Sequence, residues 1–129
     1  MIALDTNVVV RLLVNDDPGQ TRRARALLET RAAFVTPTVL LETEWVLRGA
    51  YGIGRPAIAS SLRGLLGLPA VVVGNAQAIA QALDWFEAGL DFADALHLAL
   101  SGDAGGFVTF DTRLAKRARR ITGRAVSAL

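Results

Sequence analysis

Four acidic residues occupy positions in this 129-residue chain where carboxylates are able to do chemistry together. They are Asp5, Glu42, Asp94 and Asp111. The first and the last directly follow short apolar runs, Ile2 to Leu4 and Phe107 to Phe110, which are typical of buried strands. The other two fall near the starts of predicted helices. Because strand ends and the helix starts that follow them share the carboxyl edge of a parallel sheet, we predict that the four acids lie at that edge.

A cluster of carboxylates needs a counter-charge. At an effective dielectric constant near 20, two like charges about 4 Å apart repel by about 4 kcal/mol. A ligand set of oxygens alone, without histidine or cysteine, favours a hard cation such as Mg²⁺ or Mn²⁺. These ions activate water and stabilise charge on attacking and leaving oxygens in phosphoryl chemistry. The acids therefore indicate metal-dependent cleavage of phosphodiester bonds.

Two of the acids also have structural interpretations. Asp5 could simply cap the helix that follows it. On the helix predicted from about Pro37 to Tyr51, Glu42 falls within the apolar stripe, where a carboxylate needs a partner or a cation, or else reaches water at the stripe's edge. Glu44 is predicted to point to solvent and to pair with Arg48, one helical turn later.

The helix that begins near Asp91 carries two acids and the only histidine of the chain. We interpret Asp91 as its N-cap. Asp94 either complements the helix dipole or faces the interior or a crevice, since it shares a face with Leu98. His97 is interpreted as a core residue without a chemical role.

Basic residues are concentrated near the C-terminus, although the net charge is only +2. They are Arg113, Lys116, Arg117, Arg119, Arg120 and Arg124, and no acid follows Asp111. A solvated helix face is the common meaning of such a run. A basic helix directly after a candidate metal ligand would also hold a phosphate backbone beside it.

Composition and element order predict one α/β domain over residues 1–129. Hydrophobic residues make up 52% of the chain, and the absence of cysteine excludes disulfides, thiolate metal sites and a thiol nucleophile. Strand and helix patterns alternate, which predicts a central parallel sheet of four to five strands surrounded by helices. With no apolar run of membrane-spanning length and no basic leader, we expect a soluble, cytoplasmic protein with no membrane association.

Four short motifs resemble the signature of the PIN-domain family. They are Asp5-Thr6-Asn7, the segment Val39 to Leu47 around Glu42, the segment Asp91 to Leu96 around Asp94, and Thr109-Phe110-Asp111. Each motif is weak alone, but their order and spacing cover nearly the whole chain. The chain as a whole resembles the VapC-type toxins of bacterial toxin–antitoxin pairs.

This resemblance implies a single PIN-like domain acting as a Mg²⁺- or Mn²⁺-dependent endoribonuclease. It implies that Asp5 and Asp94 bind the metal directly, while Glu42 and Asp111 complete the ligand shell, partly through water. Arg113, Lys116 and Arg117 become candidate contacts to a structured RNA such as tRNA. It also implies a homodimer that a cognate antitoxin protein keeps inactive.

Two alternatives remain open. An aspartyl-phosphate phosphatase also begins with an acid at the end of its first strand, but it needs a second acid where this chain has Asn7, and the only lysine here is Lys116. A non-catalytic RNA- or protein-binding module of the same fold would use Glu42 and Asp94 structurally. In that case amide replacements of these acids would leave RNA affinity intact.

Overall fold

The computed structural model describes residues 1–129 as five strands and seven helices. In chain order they are β1 (Ile2–Ala3), α1 (Thr6–Leu13), α2 (Pro18–Thr30), β2 (Ala33–Val35), α3 (Pro37–Gly49), α4 (Arg55–Leu66), β3 (Val71–Val73), α5 (Ala76–Glu87), α6 (Phe92–Leu100), β4 (Phe107–Thr109), α7 (Thr112–Thr122) and β5 (Val126–Ala128). None of the seven helices combines the length and the apolar character that a bilayer span requires. The chain divides into two compact units, Met1–Ala76 and Gln77–Leu129.

The first unit is built on a parallel three-stranded sheet with the order β1-β2-β3. Ile2 is in register with Ala33, and Phe34 with Val72. Helices α1 and α2 connect the first two strands, and α3 and α4 connect the next two, as parallel strands require crossover connections. The unit's core consists of fully or almost fully buried apolar side chains, among them Val9, Val35, Leu40, Leu47, Ile58, Leu62 and Leu65.

The second unit begins at the second residue of α5 and contains the rest of that helix, α6, the strand pair β4-β5 and α7. The two strands are parallel, with Phe107 in register with Val126. Phe86 of α5 and Phe92 of α6 pack edge to face, with ring centroids 5.3 Å apart. Helix α7 ends at Gly123, whose φ of 66° is a left-handed conformation that glycine adopts without steric cost, and the chain then turns into β5.

The α/β class and the parallel strand direction are confirmed, but the predicted single sheet of four to five strands is wrong. The structure has one three-stranded sheet and one two-stranded sheet. Apolar runs predict where strands occur, whereas backbone hydrogen bonding decides which strands share a sheet. The strands are also shorter than predicted: β4 ends at Thr109, and Phe110 is 81% exposed. A single domain over residues 1–129 stays a prediction.

The buried face of α3 differs from the predicted one. Its buried residues are Leu40, Thr43, Glu44 and Leu47, whereas Glu42 is exposed. Apolar residues stand on more than one side of this helix, so periodicity alone did not decide which side faces α1 and α4. The predicted pair is confirmed, with Arg48 Nε donating to Glu44 Oε2 at 2.8 Å. The Glu44 carboxylate, however, is buried and does not point to solvent as predicted.

Candidate functional site

Asp5 lies between β1 and α1 with its carboxylate free. It is the N-cap residue of α1 and has extended backbone angles, but its side chain accepts no capping hydrogen bond. The side chain is exposed, so its oxygens remain available to a ligand. A purely structural role as helix cap therefore does not account for this acid.

Asp5 and Glu42 line the same open cleft in the first unit. The cleft has a volume of about 310 Å³, and its other lining residues are Thr6, Asn7, Val10, Arg11, Val46 and Tyr51. It forms where α1 packs against α3, which brings the start of one helix beside the second turn of the other. Carboxylate oxygens with a nearby amide are donors that suit a hard cation, so these residues fit Mg²⁺ or Mn²⁺.

Arg11 forms a hydrogen-bonded network at the wall of this cleft. Its Nε donates to Gln20 Oε1 at 2.6 Å, and its Nη1 donates to Asp16 Oδ1 at 2.9 Å and to the Tyr51 hydroxyl at 3.1 Å. The hydroxyl in turn donates to Asp16 Oδ2 at 2.7 Å. The hydrogen bond with Tyr51 raises the pKa of Arg11 above its ordinary value, so the guanidinium stays charged.

The sequence analysis did not assign this network a role. Tyr51 lies 40 residues from Arg11, and no local pattern joins positions that far apart. One signal was present: a single arginine interrupts the apolar run from Val8 to Val14. A charged side chain on a short apolar helix is costly to bury without polar partners. The partners of Arg11 lie next to the cleft that Asp5 and Glu42 line.

The other two predicted acids lie in the second unit, at the starts of its helices. Asp91 is confirmed as the N-cap of α6, because its Oδ2 accepts from the Asp94 backbone N–H at 3.4 Å. Asp111 is the N-cap of α7, and its Oδ1 accepts from the Leu114 backbone N–H at 2.9 Å. The Asp111 N–H donates to Thr109 Oγ1 at 3.0 Å, which fixes the turn between β4 and α7.

Asp94 has a perturbed carboxyl group. Partial burial raises its pKa above the ordinary value for aspartate, the carboxylates of Asp91 and Asp111 raise it further, and His97 lowers it. Ionising Asp94 is therefore less favourable than ionising an ordinary aspartate, and a nearby positive charge would offset this difference. His97 itself is exposed on α6, so its interpretation as a core residue is wrong.

Each unit supplies two of the four predicted acids: Asp5 and Glu42 in the first, Asp94 and Asp111 in the second. Nowhere in residues 1–129 do three or more histidine, aspartate or glutamate side chains form a group that could hold a metal ion. Within the second unit, Asp94 and Asp111 are close enough for the charge of one to shift the pKa of the other.

Helix α7 presents a basic exposed face. Arg113, Lys116 and Arg117 are exposed, while Ala115 and Ala118 are buried. Two further members of the basic run have structural contacts. Arg119 Nη1 donates to the carbonyl of Val126 in β5 at 2.8 Å. Arg124 donates to Gln81 at 3.0 Å and lies over the ring of Trp85, 5.2 Å from its centroid.

Comparison with known proteins identifies the family. The family model of the PIN domain matches residues 2–120, nearly the whole chain. The chain therefore belongs to the PIN-domain family, as its four motifs predicted.

Among solved structures, the chain is similar to Mycobacterium tuberculosis VapC20, which is described as a sarcin–ricin loop cleaving toxin. The two share 21% identity, the match covers 85% of this chain and 88% of that one, and the TM-score is 0.44. At this level of likeness the two structures support no inference about function. A search of curated proteins found no match.

Proposed function

We propose that this PIN-domain protein is an endoribonuclease that uses Mg²⁺ or Mn²⁺ and serves as the toxin of a toxin–antitoxin pair. The observation that carries the proposal is the shared cleft of Asp5 and Glu42. Two carboxylates there, one of them free at a helix start, form an oxygen-rich edge beside a charged arginine. Metal-dependent cleavage of a phosphodiester bond uses such a metal-binding edge, and a fixed guanidinium beside it donates hydrogen bonds to phosphate oxygens.

The roles of the four acids follow the family signature. By the resemblance to that signature, Asp5 and Asp94 would hold the metal directly, and Glu42 and Asp111 would complete its ligand shell and orient the attacking water. Mg²⁺ or Mn²⁺, when bound, lowers the pKa of water and stabilises charge on the leaving oxygen. The raised pKa of Asp94 supports its role, because such a carboxyl gains most from a nearby cation.

The RNA and protein partners follow from the same resemblance. Arg113, Lys116 and Arg117 on the exposed face of α7 contact RNA phosphates, directly after the acid that caps this helix. The substrate is a structured RNA, for example tRNA, which places the action in the cytoplasm. A cognate antitoxin blocks the site, and the toxin is a homodimer. Light scattering of the purified protein would measure the mass of this dimer.

The test is cleavage of total cellular RNA by purified protein with Mg²⁺, with Mn²⁺ and with EDTA. Wild type is compared with Asp5→Asn, which removes one charge from the cleft and keeps the shape of the side chain. The matched control is Asp103→Asn, which removes the charge of an exposed aspartate outside the four motifs. Mass spectrometry of each preparation excludes a co-purified antitoxin.

We expect discrete fragments only with a divalent cation, from wild type and from Asp103→Asn, and none from Asp5→Asn. RNA binding without cleavage in any antitoxin-free sample would overturn the nuclease and support the non-catalytic binding module. Equal cleavage by Asp5→Asn and wild type would refute the assignment of the site.

A further inference from the structure

A second cleft of the first unit adjoins the one that holds the carboxylates. It lies between α1 and α2, has a volume of about 470 Å³, and is lined by Asn7, Val8, Arg11, Gln20, Arg23, Ala24 and Leu27. Asn7 and Arg11 also line the cleft of Asp5 and Glu42. The two clefts therefore adjoin each other along a wall formed by Asn7 and Arg11.

Arg11 is held rigidly in this shared wall while part of it stays available. Three of its N–H groups donate to Gln20, Asp16 and Tyr51. Its second terminal nitrogen, Nη2, has no acceptor within the chain and is not buried. A guanidinium fixed in this way keeps two directed donors for a ligand, and little side-chain entropy is lost when they bind.

Arg23 supplies the uncompensated charge of the α1–α2 cleft. It is exposed on α2 and forms no ion pair or hydrogen bond within the chain. The charge of Arg11, by contrast, is offset by Asp16 at 2.9 Å. The two arginines therefore contribute differently: Arg11 gives directed hydrogen bonds, and Arg23 gives net attraction for an anion.

We propose that the α1–α2 cleft binds the phosphodiester backbone of the RNA substrate on one side of the bond that is cut, through Arg11 and Arg23. The proposal rests on the proposed nuclease function for the identity of the ligand. An RNA strand that lies along the shared wall runs from the cleft of Asp5 and Glu42 past Arg11 to Arg23. The contacts are to phosphates, so they position the strand without reading its sequence.

The experiment measures RNA affinity separately from cleavage. The probe is a short, fluorescently labelled single-stranded RNA with 2′-O-methyl groups, and binding is followed by anisotropy in EDTA over a series of salt concentrations. The first variant is Arg23→Ala. The matched control is Arg22→Ala, which removes the same charge from the neighbouring position of α2, outside the cleft lining.

We expect Arg23→Ala to weaken binding about fivefold to tenfold relative to Arg22→Ala, which is less than the loss of a buried charged hydrogen bond because solvent screens this exposed site. The slope of log affinity against log salt should fall by about 0.7, the value for one lost phosphate contact on a single strand. Arg11→Lys keeps the charge and loses the planar fork, so affinity should fall with an unchanged slope. Circular dichroism checks that each variant is folded.

Equal affinities of Arg23→Ala and Arg22→Ala would overturn the proposal, even if wild type cleaves RNA in Mg²⁺. Undetectable binding of the probe by wild type would overturn it as well. If Arg23→Ala binds weakly but the wild type never cleaves RNA, the cleft is a binding site and the nuclease function is wrong. The two proposals therefore fail by different results.

Discussion

Helix α3 carries two glutamates, two residues apart, whose environments predict opposite effects of substitution. Glu42 is exposed and lines the cleft with Asp5. Glu44 is only 2% exposed and faces the interior of the first unit. We predict that breaking the ion pair of Glu44 lowers the stability of the protein without a direct loss of catalysis. Neutralising Glu42 is predicted to lower the rate of catalysis at little cost in stability.

The stability effect is tested with Arg48→Met. Arg48 makes both hydrogen bonds to the Glu44 carboxylate, at 2.8 and 3.4 Å, and no other group in the chain bonds to that carboxylate. Removing one partner of a buried ion pair costs about 3–5 kcal/mol. Because the Arg48 side chain is 54% exposed, water compensates in part, and we expect a loss of about 2–3 kcal/mol.

The catalytic effect is tested with Glu42→Gln. An exposed, conservative substitution changes the free energy of unfolding by no more than about 0.5 kcal/mol. If Glu42 completes a metal shell, the rate of RNA cleavage should fall by at least about 10- to 100-fold. Urea unfolding measures the first quantity. Cleavage by samples matched for folded protein in saturating Mg²⁺ measures the second.

The double variant Glu44→Leu with Arg48→Met is the control. It removes both charges, so most of the stability lost in Arg48→Met should return. A single variant Arg48→Met as stable as wild type would refute the reasoning about a buried carboxylate. Wild-type cleavage by Glu42→Gln would remove Glu42 from the site.

Two further predictions concern the acids of the second unit. The pKa of Asp94 is raised in the folded chain, so its ionised carboxylate destabilises the metal-free protein when the pH is above that raised pKa. The effect disappears when the pH is below the ordinary pKa of aspartate, because the carboxyl is then protonated in the folded and the unfolded chain. Asp94→Asn should therefore be more stable than wild type in EDTA at pH about 7, with a difference that shrinks towards pH about 3; urea unfolding that shows no difference at neutral pH would contradict this. Asp111→Ala should lose about 1 kcal/mol through the missing cap on Leu114, whereas Asp111→Asn should keep the cap. Asp111→Ala and Asp111→Asn should both lose RNA cleavage. An Asp111→Asn variant that is stable and still cleaves RNA would limit the role of Asp111 to capping.

Much of the fold was predictable because local signals mark most of its elements. Asp17 and Pro18 are residue types typical of the N-cap and first positions of a helix, and α2 begins there, with the Asp17 side chain accepting from the Gln20 backbone N–H at 3.1 Å. Short apolar runs located β1 and β4. Pairing between strands was not predictable, because β1 is only two residues long and its two pairs with β2 join residues 31 positions apart.

For two of the predicted site residues, Asp5 and Glu42, the structure bears on position and orientation, while their role in a site stays a prediction. Asp5 was singled out because it follows a short apolar run, and the structure places it between β1 and α1 with an exposed side chain. Glu42 was placed within an apolar stripe, with exposure to water at the edge of the stripe as the alternative, and the structure agrees with the alternative: Glu42 is exposed and lines the cleft. Which side of a helix is buried depends on α1 and α4 packing against it, and these contacts are long-range.

Capping and metal binding are compatible roles for the same aspartate. Asp111 uses Oδ1 to cap α7, and its Oδ2 forms no hydrogen bond within the chain. A carboxylate has two oxygens with about four acceptor positions, so one cap leaves capacity for a cation or a water. Asp5 stands at the equivalent point of α1 and leaves both oxygens free. The interpretation of such acids as helix caps, which sequence alone favours, therefore does not exclude them from a metal site. Only substitutions that keep the cap and remove the charge separate the two roles.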